Sequence, residues 1–174
     1  MHVREAIEIA VAIAFALIVL LLHQHYGAAI EGKLTWMVVI FAAFKTAYYF
    51  GESLWYLIDA AASDLAYHRF LLLMAYNMAE VTFSFSLDFF CLQQLNNESF
   101  TGLDASRGNA ELLFNCFYFS VLNFSFFGYG DIMPVHVPAK IVMLLEVITA
   151  FSTVIFLISD FVSMKDSMRK DRAK

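Results

Sequence analysis

The most constraining stretch of this sequence lies between about Ala110 and about Val162. An apolar helical run starts near Ala110 and stops at Phe124, too soon to cross a bilayer. It gives way to Ser125-Phe126-Phe127-Gly128-Tyr129-Gly130-Asp131-Ile132-Met133-Pro134. A second apolar run, about Ala139 to about Val162, follows at once. A helix needs about 20 apolar residues to span a membrane. Backbone that is not helical is tolerated at membrane depth only where protein encloses it or where it lines a cavity. A glycine turn between these two runs therefore has to be enclosed.

The rest of the chain puts that turn in a membrane. Hydrophobic residues make up 61% and charged residues 16%, where soluble domains carry about 25% charged. So apolar a chain cannot hide its side chains inside one small globule. Three further runs are long enough to span: about Ala6 to about His25, about Leu34 to about Ile58, and about Phe70 to about Leu95. Glu5 and Glu8 stand where a signal peptide would carry basic residues, so the first run is expected to remain as a membrane helix. The expected fold is an all-α membrane protein with four transmembrane helices and a re-entrant helix and loop between spans three and four. Residues 1–65 would hold two N-terminal spans, residues 66–164 the re-entrant module, and residues 165–174 a short basic tail.

Basic residues orient the spans. With four spans, Arg4, Arg69, Lys165, Arg169, Lys170, Arg172 and Lys174 share one side, and Lys33, Arg107 and Lys140 share the other. Both termini are therefore expected in the cytoplasm, in a plasma or inner membrane. The net charge of −5 does not suggest nucleic-acid binding, which needs a basic face. Cys91 and Cys116 are too few for a disulfide scaffold and lack metal-ligand spacing. No nucleotide loop, nucleophile triad or zinc pattern is present, so no enzyme and no cofactor is expected.

The stretch Phe117-Tyr118-Phe119-Ser120-Val121-Leu122-Asn123-Phe124-Ser125-Phe126-Phe127-Gly128-Tyr129-Gly130-Asp131 resembles the pore loop of potassium channels. The likeness needs no gap and continues through Ile132-Met133-Pro134 to Lys140 at the start of the next span. It covers about 110 to 162, and about half of the chain if the third span is the outer helix of the pore. The resemblance implies a homotetramer in the lipid bilayer, four filter loops around one axis, and K+ as the permeant ion. Rings of backbone carbonyls would replace the ion's water shell. By family role the carbonyls of Phe127, Gly128 and Tyr129 line the filter and Gly130 permits its outermost turn. Asp131 sits at the outer mouth, within reach of the Tyr118 hydroxyl.

Two positions depart from the family pattern. Phe126 replaces the Thr whose hydroxyl supplies the innermost ion ligand, and Phe127 replaces a Val. Four Phe126 rings would narrow or dewet the inner entrance. Three readings thus stay open: a potassium-favouring pore, a poorly conducting or closed subunit of a larger membrane assembly, and a non-selective or sodium-passing pore. Other membrane subunits would be the partners in the second case.

Lys45, Glu80, Asp88 and Glu146 lie inside predicted spans, where ionisable groups pair or line water. At about 1.5 Å per residue, Lys45 and Asp88 lie at matching depth, with Glu80 as the rival partner. Glu146 lies two turns into the last span, at filter depth. There it is placed to meet Asn123 or Ser125 and to make the pore responsive to pH. The first two spans lack Arg at every third position, so a conventional voltage sensor is not expected.

Overall fold

A computed structural model describes residues 2–60, 67–128 and 130–171 of the chain. Among them are five α-helices: α1 (His2–Tyr26), α2 (Glu31–Ala60), α3 (Tyr67–Leu95), α4 (Asn109–Phe124) and α5 (Val137–Asp171). Two short strands, β1 (Phe100–Thr101) and β2 (Met133–Pro134), pair antiparallel, Phe100 opposite Pro134 and Thr101 opposite Met133. The bounds of α1, α2, α3 and α4 fall close to the apolar runs. Gly27, at φ 58°, opens the 3-10 turn between α1 and α2. Pro138 lies in the first turn of α5, where its missing N–H is no loss. α5 runs on through the basic tail to Asp171, since no Gly or Pro interrupts it there.

Among the described residues three helices are able, by length and composition, to cross a membrane: Ile7–Tyr26, Glu31–Glu52 and Val137–Phe156. The described part of α3 is more polar, and its position explains how that is tolerated. α3 packs against all four other helices. From Glu80 to Gln93 every residue is buried except the half-buried Phe83. Its Glu80, Thr82, Ser84, Ser86, Asp88 and Gln93 therefore face protein, where a polar group has to find a hydrogen bond. α1 lies on α3, α2 runs along α5, and the Phe15 and Phe41 rings stack at 3.8 Å between α1 and α2.

The link from α3 to α4 is tied down by one buried amide. Gln93 Nε2 donates to the carbonyls of Asn97 (2.9 Å) and Leu103 (3.2 Å), and Gln93 Oε1 accepts the Phe100 N–H at 3.1 Å. Ser99 Oγ donates to the Leu92 carbonyl at 3.0 Å. This sets β1 beside the chain that leaves the glycine turn. It also closes an aromatic triangle: Phe89, Phe100 and Phe119 meet edge to face with centroids 5.0–5.6 Å apart. The triangle fixes α4 against α3 and β1. Replacing the fully buried Phe89 by Ala is expected to lower stability by about 3–5 kcal/mol, measured as a shift in the denaturation midpoint of the detergent-solubilised protein.

Candidate functional site

α4 has 16 residues, about 24 Å at 1.5 Å per residue, short of the roughly 30 Å apolar core of a bilayer. It ends in a defined closure. The Phe126 N–H donates to the Asn123 carbonyl at 3.1 Å, and the Phe127 N–H to the Leu122 carbonyl at 2.9 Å. With Ser125 as the C-cap, this is the 6→1 and 5→2 pattern of a Schellman motif. The position past the cap needs a left-handed backbone, normally supplied by glycine. Here Phe126 takes it, at φ 58°. A side chain there costs on the order of 1–2 kcal/mol.

Phe126, Gly128 and Gly130 have φ of 58°, 40° and 78°. The left-handed backbone thus recurs at every second residue through the turn, with glycine at two of the three positions. Phe126 and Phe127 are exposed, and the Phe126 ring meets Phe151 of α5 edge to face at 6.1 Å. Tyr129 lies outside the described residues. Beyond the turn, the Asp131 carboxylate accepts the Ile132 N–H at 3.0 Å. Tyr118 is half-buried on α4 and packs against the core.

Behind α4 a carboxyl is fully enclosed. Glu146 of α5 is 0% exposed. Its Oε2 accepts Asn123 Nδ2 at 3.0 Å, and its Oε1 is hydrogen-bonded to Ser120 Oγ. Ser120 Oγ also lies 2.8 Å from the Thr82 carbonyl of α3. Asn123 thus meets Glu146, as its depth suggested, and Ser125 does not. Ser125 Oγ turns back to the carbonyls of Val121 (2.8 Å) and Leu122 (3.1 Å), because it stands two residues past Asn123 and faces away. Ser120 is the residue that sequence reasoning missed. Its signal was the three-residue spacing from Asn123, which puts both on one helix face.

A second buried cluster joins α2 to α3. Lys45 Nζ lies 2.5 Å from Asp88 Oδ2 and donates to Ser84 Oγ (2.8 Å) and the Ser84 carbonyl (3.0 Å). The Phe85 ring centroid is 4.7 Å from the same nitrogen, a cation–π contact. Glu80, the rival partner, is buried two turns before Asp88 on α3. The hydroxyls of Thr149, Ser152 and Thr153 on α5 all donate to their own i−4 carbonyls.

Gly102 also escaped the sequence. At φ 84° it abuts the exit of the turn, and a Cβ there would sit 2.0 Å from the Asp131 carbonyl oxygen. In the sequence it looks like any loop glycine.

A family profile described as an ion channel matches residues 72–165. The match begins within α3 and ends within α5, so it takes in α4 and the turn and leaves out α1 and α2. No curated protein and no solved structure matches the chain.

Two outcomes are expected. Gly102→Ala should push the Asp131 backbone aside and speed hydrogen exchange across residues 131–135 while leaving α1 and α2 unchanged. Lys45→Met should leave Asp88 buried without its cation and lower stability by about 3–5 kcal/mol, with most of the loss recovered in Lys45→Met/Asp88→Leu. Denaturation midpoints of the three variants check it.

Proposed function

Because the chain belongs to the ion channel family, whose profile spans more than half of its length, we propose that it forms the subunit of a tetrameric potassium-favouring pore in a plasma or inner membrane. α1, α2, α3 and α5 cross the bilayer with both termini in the cytoplasm. α4 is the re-entrant helix, and residues 126–131 form the filter. The observation that carries this reading is the sub-span length of α4 combined with the left-handed backbone at Phe126, Gly128 and Gly130. Peptide groups that alternate in hand can turn successive carbonyls to one side, as a carbonyl-lined filter requires. Phe127, Gly128, Tyr129 and Gly130 supply those carbonyls, and Asp131 stands at the outer mouth.

Assembly is supported by what a single chain leaves uncovered. Leu144, Ile148, Phe151 and Ile155 form an exposed stripe at helical spacing on α5. Phe114, Phe117 and Val121 do the same on α4. Neighbouring copies around a closed fourfold axis would cover both stripes.

A second reading has its own observation. The exposed Phe126 ring stands against Phe151, and four such pairs would make an apolar constriction below the filter. The pore is then closed or poorly conducting at rest and serves as a subunit of a larger assembly. Purified protein in liposomes separates the readings. Potassium and rubidium uptake above sodium supports the potassium pore, and equal uptake of all three supports a non-selective one. No uptake from an intact ring of four supports the closed subunit. A stoichiometry other than four sinks the filter geometry. Phe126→Gly is expected to raise rubidium uptake, since glycine removes the ring and accepts the left-handed backbone. Thr would remove the ring but strain the turn.

A further inference from the structure

We propose that Glu146 is the positioning residue of the filter turn: through Asn123 and Ser120 it holds the last turn of α4, and through Asn123 it holds the left-handed Phe126. This rests in part on the reading of residues 126–131 as a filter.

The argument begins with the cost of the group. A carboxyl with no exposed surface in an apolar bundle is expensive, and a leucine of similar size would fill the space more cheaply. What Glu146 supplies in return is direction. Both of its oxygens are engaged, one by Ser120 and one by Asn123, residues one turn apart on the same face of α4. Two attachment points resist both rotation of α4 about its axis and sliding along it. Ser120 in turn reaches the Thr82 carbonyl, so α3, α4 and α5 are joined at one place.

Asn123 passes that constraint to the turn. Its side chain donates to Glu146, while its backbone carbonyl accepts the Phe126 N–H. The carbonyls of Val121 and Leu122 accept from Ser125 and Phe127 in the same way. All three acceptors belong to the last turn of α4. Any rotation of that turn displaces the hydrogen bonds that keep residues 125–127 in place. A phenylalanine in a conformation suited to glycine depends on such support, because its own backbone preference opposes it.

The test uses the full chain in nanodiscs. Glu146→Leu is expected to speed hydrogen exchange of the Phe126 and Phe127 amides by about tenfold or more. Glu146→Gln keeps an acceptor for Asn123 and gains a donor toward Ser120, so it should stay within about twofold of the parent. Asn123→Leu should reproduce the Glu146→Leu result, and it carries the test if Glu146→Leu does not fold. Exchange in α1 should not change in any variant. Wild-type exchange at Phe126 and Phe127 in folded Glu146→Leu or Asn123→Leu overturns the proposal. In liposomes, the rubidium-to-sodium uptake ratio should fall in Glu146→Leu and recover in Glu146→Gln; a ratio that stays at the parent's value counts against a role in positioning the filter. Absence of uptake from the parent itself removes the conducting reading alone, because the exchange result decides the role of Glu146 without it.

Discussion

The structure depends on satisfying polar groups where water does not reach. α4 stops short of a span, and the carbonyls of its last turn need partners. They find them in the N–H groups of Ser125, Phe126 and Phe127. This closure turns the chain sharply into Gly128 and on toward Gly130 and Asp131. It also forces Phe126 into a left-handed backbone, a conformation that no other non-glycine residue takes among the described residues. Sites of that kind persist only where surrounding contacts over-determine them. Glu146, Asn123 and Ser120 behind the turn, and Gly102 with β1 beyond it, surround this one.

The same rule explains why α3 is both polar and central. It carries Glu80, Asp88 and Gln93 within a few turns. A lipid-facing helix with that sequence would be costly. Enclosed by four neighbours, it becomes a spine from which side chains reach outward in three directions. Asp88 and Ser84 reach Lys45 of α2, Gln93 reaches the loop that carries β1, and the Thr82 carbonyl reaches Ser120 of α4. α1 and α2 therefore do more than add length. They cover the polar side of α3, which the family profile begins to match only at residue 72.

Much of the fold could be read from residues in order. The bounds of α4 followed from an apolar run and a glycine turn, and those of α1 and α2 from run length. The depth match of Lys45 and Asp88 came from counting helical rise. The site was only partly legible. Depth along α5 brings Asn123 and Ser125 equally within reach of Glu146 and gives no sign of Ser120. Depth along a helix is a count of residues, but facing depends on how far that helix is rotated against its neighbour. Gly102 and Gln93 gave no signal, because their partners lie across a loop whose path is set by the contacts themselves.

The sequence alone determined that apolar segments outnumber what one globule can bury, that one of them is too short to span, and that a glycine turn follows it. These are local properties, fixed by run length and by the backbone freedom of glycine. Only the tertiary structure decided that α3 is the buried spine, that Glu146 grips Ser120 and Asn123, and that Phe126 adopts the left-handed backbone. Those outcomes depend on helix rotation and on hydrogen bonds between residues up to 39 positions apart. No pattern within a single segment encodes them.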